Sequence, residues 1–464
     1  MKKITFIFFF IFAILSIDCI AKKNIDSKLS PKQMKEDITF WYKTILETHP
    51  NPFQKLPPEQ LDIKVQELIT SLDKPLSQKD FWLQIAQFNQ YFDGHTQIEF
   101  IRELFNSQNE WLFYLYYILD YKSSTLYFKD EFLFNGNSLG GFRIVSFNNT
   151  PISEIIQYTF KYTSIELLIS SDFFISTMIG IYQNIYPIED ILEIGYEDAN
   201  GEINHCSFNQ NYVKNIIENS KNVTFKSEYP YKFQLFPEES IALIELNTCS
   251  KEWIKDEDFE NFLSQTFREI DSSKIQNLFI DISANTGGSS SYVYQFLSYL
   301  ISDTSSYLTT ESIFKISPAI KKNRKFKEFT SQKNGTFYRK EWFITFPQTE
   351  NTFQNNLFLI QSNSTYSAAV GLSSFINATK SGIIIGEETG GLTSGYIDSA
   401  VNTMKNSNIP FSCSTQAFSE IGSNKDSRGV IPDVEYKIPN TKKSFTLEEL
   451  KKMLDLSKIR EDIK

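Results

Sequence analysis

Hydrophobic positions recur along this chain with two different periods, and the change of period divides it. Met34, Ile38, Trp41, Ile45 and Leu46 fall three or four apart behind Ser30-Pro31, a capping residue followed by a first-turn proline. That spacing predicts a helix, which His49-Pro50-Asn51-Pro52 stops. A second helix is expected from Pro58 to Leu72. A third opens at Ser77, with Asp80 three residues on, and carries Phe81, Trp82, Ile85 and Phe88 toward a core before running into Asp93-Gly94-His95-Thr96. From about 110 to 235 the pattern is mixed. Residues 142–147 alternate like a strand ahead of an Asn148-Asn149 turn, and Pro151 to Tyr158 reads as a short helix. Leu192 to Tyr196 reads as a strand before Asn200-Gly201, and Phe173 to Tyr186 as buried core.

From about 236 short, continuous apolar runs alternate with amphipathic ones. Ile241–Leu246, Leu278–Ile282, Leu357–Ile360 and Gly382–Gly386 are predicted strands; Asp256–Ile270, Tyr292–Ile301 and Ala368–Ala378 are predicted helices. Strands without alternation are buried on both faces, so this is the grammar of parallel βαβ units and an α/β fold class. A polar excursion over 302–354 interrupts it, with a basic cluster (Lys321, Lys322, Arg324, Lys325, Lys327) expected to be a solvated face. A last helix is expected within 441–464.

Composition narrows the possibilities. With 464 residues, 42 Phe and 23 Tyr, the chain carries too much apolar surface for a disordered one. A net charge of −10 argues against a nucleic-acid partner. Four Cys are too few for a disulfide scaffold, and three His with scattered Cys give no metal cluster, so no metal is expected. Lys2 and Lys3, an apolar run from Ile4 to Leu15 and the exit Cys19-Ile20-Ala21 describe a signal peptide over 1–21, and hence export to a periplasmic or extracellular space. Membrane association is expected only if that segment is retained or Cys19 is acylated, and Asp18 before Cys19 argues against acylation. Cys206, Cys249 and Cys413 then remain, enough for at most one bridge.

In open α/β sheets ligands collect beyond the carboxyl ends of the strands. Two loops occupy such positions: Asp281 to Gly288, whose paired glycines can turn N–H groups toward an anion, and Asn363 to Ala369, where Ser367 stands at a helix start. Taken alone the first is a plain turn and the second an N-cap serine. A serine nucleophile needs a base and an acid to orient that base. His95, between Gly94 and Thr96, is the candidate base, whereas His49 beside helix-stopping prolines and His205 read as structural. Asp426, three residues before Gly429, is the candidate acid.

In this order the loops resemble peptidase family S41, the tail-specific and C-terminal processing serine peptidases with their tricorn-type relatives. Phe92-Asp93-Gly94-His95-Thr96 is similar to the family's Asp-Gly-His-Thr element. Ile280 to Gly288 resembles its Asp-Leu-Arg-x-Asn-x-Gly-Gly loop, with Ser283-Ala284 in place of Arg-Gly. Thr365-Tyr366-Ser367-Ala368-Ala369 matches its nucleophile motif, with Val370 where an acidic residue commonly follows. Gly386 to Gly391 and Gly429-Val430-Ile431-Pro432-Asp433 resemble its closing signatures. The resemblance implies a ClpP/crotonase-like catalytic core over 236–440. Ahead of it come an N-terminal helical domain over 22–105 carrying the His motif and a PDZ-like or divergent α+β region over 106–235, the latter on the strength of Ile144 to Ile152. Leu392 stands where the Ser–Lys variant carries its lysine, so the implied variant is Ser–His–acid: Ser367 as nucleophile, His95 as base and Asp426 as acid. Gly287, Gly288 and Ala368 would form the oxyanion hole. No cofactor is implied, and protein or peptide substrates are. Two other readings remain open at this point: a catalytically inactive peptide-binding relative, and an esterase or amidase using the same site.

Overall fold

A computed structural model describes residues 28–461 apart from 106–109, 123–124, 130–131, 165–170, 187, 189, 221–228, 304, 323–327, 347–348, 424–427 and 439–443. The signal-peptide segment with Cys19, the basic residues Arg324, Lys325 and Lys327, and Asp426 lie outside the described residues. Contacts divide the chain into two compact units. One runs up to Lys221 and adds Ser317–Ser331 and Asp398–Thr415; the other comprises Asn222–Ile316, Gln332–Ile397 and Gln416–Lys464. The units interleave in sequence, whereas the resemblance implies one continuous core over 236–440.

The first unit begins with the predicted helices. The Ser30 hydroxyl accepts the Gln33 N–H while the Gln33 side chain returns to the Ser30 N–H, a capping box that starts the Pro31–Thr48 helix. Its Met34, Ile38, Trp41 and Ile45 are fully buried. Pro58–Ser71 follows, then Gln78–Ile85, capped by Ser77, which tightens into a 3-10 turn over Ala86–Tyr91 and delivers the Asp93 to Thr96 loop. Gln97–Ile98 pairs antiparallel with Ser412 and Phe411, which is why 398–415 belongs here. An antiparallel sheet follows in the order Leu119–Lys122, Thr125–Phe128, Arg143–Phe147, Ile191–Glu197, Ile203–Asn209. The helices Ile152–Thr159 and Ser171–Ile185 send Ile155, Ile156, Ile175, Met178 and Tyr182 into the same core.

In the second unit a six-stranded sheet runs Tyr231–Phe236, Ile241–Leu246, Asn277–Asp281, Asn356–Gln361, Ile383–Gly386, Val434–Glu435, with only the first pair antiparallel. Alternate residues of each strand enter different cores. Ala242, Ile244, Leu278, Ile280, Leu357, Leu359 and Ile384 face the helices Asp256–Ser272, Ser290–Leu297 and Ala368–Thr379. Ile241, Leu243, Phe279, Phe358, Ile360 and Ile385 face Leu450 and Met453 of the C-terminal helix Leu447–Glu461. Cover on both faces explains the unbroken apolar runs.

The expected polar excursion over 302–354 is instead largely a hairpin, Ser306–Lys315 against Phe337–Thr345, whose first strand also pairs with residues 416–420. Its second strand alternates half-buried Tyr338, Lys340, Trp342 and Ile344 with exposed Phe337, Arg339, Glu341 and Phe343, too polar a strip to register as a buried strand. Cys206, Cys249 and Cys413 are buried, and no disulfide joins them. No described helix is long and apolar enough to cross a membrane.

Asp37 ties the first helix to the 398–415 segment. It is buried; its Oδ1 accepts both the backbone N–H and the side-chain Nδ2–H of Asn406, and its Oδ2 accepts the Ser407 N–H. Asp37→Ala strands those donors, and a loss of about 2–4 kcal/mol is expected. Chemical denaturation followed by circular dichroism checks it.

Candidate active site

Parallel strands that all point one way put their following loops at one end. Here residues 247–255, 282–289, 362–367 and 387–391 leave the carboxyl ends of neighbouring strands together. Ser367 is exposed at the start of the Ala368–Thr379 helix with φ 54° and ψ −123°, and its side chain makes no capping hydrogen bond. The ordinary N-cap role weighed from the sequence is therefore not the one observed. A serine at positive φ costs about 1–3 kcal/mol and persists only where its surroundings over-determine it.

The surroundings do so through backbone bonds on both sides. The Tyr366 N–H donates to Asn285 O at 3.0 Å, the Gly391 N–H to Thr365 O at 3.0 Å, and the Val370 N–H to Ser367 O at 2.9 Å. The Thr365 hydroxyl donates to Ile282 O at 3.0 Å and accepts from the Ser362 N–H at 3.0 Å. Two glycines make the approach possible. A Cβ on Gly287, whose φ is 98°, would lie 2.6 Å from Ser367 Cβ, and one on Gly391 would lie 3.1 Å from Ser367 N. Gly288, at φ 137°, lies against Cys249, whose carbonyl oxygen would be 2.1 Å from a Cβ there.

Asn285 organises this loop. It is fully buried; its Nδ2 donates to Leu246 O at 2.9 Å and reaches Cys249 Sγ at 3.5 Å, while Oδ1 accepts the Gly287 N–H at 2.8 Å. That last bond corrects one expectation: the Gly287 N–H is committed to Asn285, so Gly287 supplies space rather than an oxyanion donor. The N–H groups of Gly288 and Ala368 have no acceptor among the described residues. Ala368 also stands on the positive end of a helix dipole. Nothing in the sequence beyond its place in the Asn-x-Gly-Gly loop marked Asn285 as this hub. Burial pushes the Cys249 thiol up to about 11, which leaves it no role as a competing nucleophile.

Asp426 lies outside the described residues, but the chain just beyond it is firmly held. Arg428 makes a two-pronged pair with Glu388, at 3.1 and 2.6 Å, and the Gly429 N–H donates to the same carboxylate at 2.9 Å. These contacts, Arg428 first, hold Glu388 below the usual carboxylate range. Val430 N–H donates to Thr389 Oγ1 at 2.8 Å, beside Gly390 and Gly391.

His95 belongs to the first unit. Its N–H donates to Asp93 Oδ1 at 2.9 Å, its carbonyl accepts from Ser399 Oγ at 2.9 Å, and its Nδ1 is buried with no hydrogen-bond partner among the described residues. The other two histidines have carboxylate partners: His49 Nε2 lies 2.6 Å from Asp93 Oδ2 in the core, and His205 Nδ1 lies 3.2 Å from Glu193 Oε1 at the surface.

Residues 240–436 match the family model described as Peptidase family S41. The structure of mature CPAF complexed with lactacystin is similar over 93% of this chain and 98% of that one, with TM-score 0.62 and 12% identity. A crystal structure of mature CPAF is similar over 93% and 96%, with TM-score 0.60 and 11% identity. These likenesses show a shared fold. No curated protein sequence matches the chain.

Two outcomes follow from the packing. Gly287→Ala forces a side chain into Ser367, so the rate of covalent labelling by a fluorophosphonate is expected to fall at least about 100-fold with circular dichroism unchanged. Glu420, whose carboxyl lies 3.9 Å from where a Gly371 side chain would begin, is pushed up to about 7 by burial, against a Thr310 hydroxyl bond that favours its anion. A raised carboxyl binds its proton more tightly in the folded state, so it destabilises progressively as pH rises from about 4.5 to about 7. Glu420→Gln is therefore expected to match the natural protein near pH 4.5 and exceed it above pH 7 by roughly 3 kcal/mol, read from melting curves across pH.

Proposed function

We propose, from the match of residues 240–436 to the model of peptidase family S41, that the chain is an exported serine-type endopeptidase of protein or peptide substrates that works through Ser367, His95 and Asp426. The observation that carries the proposal is Ser367 itself: an exposed hydroxyl, freed from capping, in a strained backbone at the positive end of a helix. A serine serving only to begin a helix would use its oxygen on the first-turn N–H groups.

In the proposed reaction Ser367 Oγ attacks the peptide carbonyl as His95 takes its proton. The carbonyl oxygen, now negative, is met by the N–H groups of Gly288 and Ala368, each such donor supplying about 10²–10³-fold. The C–N bond then breaks as His95 returns the proton to the leaving amine, giving an acyl-enzyme. Water, deprotonated by the same imidazole, hydrolyses it and regenerates the hydroxyl. Asp426 would accept the Nδ1–H of His95 and stabilise the charged ring, and the unpartnered Nδ1 supports a role for such an acceptor. Export rests on the charged, apolar and small-residue order of positions 1–21.

Ser367→Ala is expected to abolish fluorophosphonate labelling and peptide cleavage with folding intact. His95→Ala should lower both by about 10³-fold or more, and Asp426→Ala by a smaller factor. Failure of the natural protein to label, or equal labelling of Ser367→Ala, would overturn the proposal. Identification of new protein termini made by active but not by Ser367→Ala enzyme tests the peptide-bond substrate class against small esters.

A further inference from the structure

Of the three histidines in the chain, two meet in one buried network of the first unit. His49 ends the Pro31–Thr48 helix and is fully buried. Its Nδ1 accepts the Asn51 N–H at 3.0 Å, which fixes the remaining proton on Nε2, and Nε2 donates to Asp93 Oδ2 at 2.6 Å. The other oxygen of Asp93 accepts the His95 N–H at 2.9 Å and the Ser414 hydroxyl at 2.6 Å. Ser414 N–H in turn donates to Thr96 Oγ1 at 2.9 Å, and Ser164 Oγ and Lys55 Nζ close on Phe92 O at 3.0 and 2.6 Å. Asp93 carries a buried charge, yet burial is outweighed by His49, Ser414 and the His95 N–H, so its carboxyl sits well below the usual range.

A loop of four residues containing a glycine has little stiffness of its own. We propose that His49 and Asp93 form a positioning couple for His95: the His49 Nε2–H fixes the Asp93 carboxylate, and the carboxylate fixes the main chain at 95, so that the imidazole is presented in one orientation for proton transfer. The couple rests on the reading of His95 as base. It adds to that reading two residues that touch no substrate.

The test uses the full chain and a fluorophosphonate, measuring the maximal inactivation rate and the half-saturating probe concentration separately. His49→Leu is expected to fold, to lose about 10–100-fold in maximal rate and to keep its half-saturating concentration within twofold. His49→Gln, which restores a donor to Asp93, should recover most of that loss. Asp93→Asn should mirror His49→Leu, and the double variant should be no slower than either single one, because both cut the same link. A role confined to packing would instead lower the melting temperature and leave the folded protein's labelling rate unchanged. Folded His49→Leu labelling at the natural rate overturns the couple. Should that variant not fold, Asp93→Asn decides by the same criterion. In the natural protein, proton NMR should also show a far-downfield imidazole N–H that vanishes in Asp93→Asn; its absence overturns the couple as well. His95→Ala labelling at the natural rate would be a different failure, that of the base itself.

Discussion

The structure depends on backbone approaching backbone more closely than side chains allow, around one strained serine. Gly386, Gly390, Gly287 and Gly391 lie so near Gln361, Asn363 and Ser367 that a Cβ on any of them would overlap an atom of those loops. The strain at Ser367 is small beside what surrounds it: a sheet buried on both faces and several loops tied to one another by buried hydrogen bonds. Rigidity supplied by the sheet thus holds a strained backbone conformation at the carboxyl end of one of its inner strands.

The same economy appears in how polar groups are used. Asn285 spends its amide on the Leu246 carbonyl, the Cys249 sulfur and the Gly287 N–H, and each of those bonds shapes the loop that faces Ser367. In the first unit Asp93 does comparable work for a histidine. In both cases a buried polar side chain fixes main chain.

Much of this was legible in the sequence where the signal is local. The cap and first-turn proline at Ser30-Pro31 and the apolar spacing after them gave the first helix within a residue or two. The unbroken runs at 241–246 and 357–360 gave parallel strands because burial on both faces leaves no other composition. The hairpin at 306–315 and 337–345 escaped because its strands expose one side and carry charges on both, so no period stands out. Ser367 was visible as a motif, but its backbone conformation was not, since nothing in Thr-Tyr-Ser-Ala-Ala announces a positive φ. Gly287 was expected as a donor and serves as space, a distinction that only the neighbouring Asn285 amide decides. His49 reads as structural and is buried as such, but its partner Asp93, 44 positions away, is beyond the reach of local spacing.

Residues 398–415 pack with the amino-terminal part of the chain, and a two-residue strand at 97–98 waits on 411–412 for its ladder. A ribosome delivering the chain in order would have passed more than three hundred residues before that partner appeared. The amino-terminal unit must therefore persist incomplete through nearly all of synthesis, and a product truncated shortly before residue 398 would lack a piece of both halves of the molecule at once.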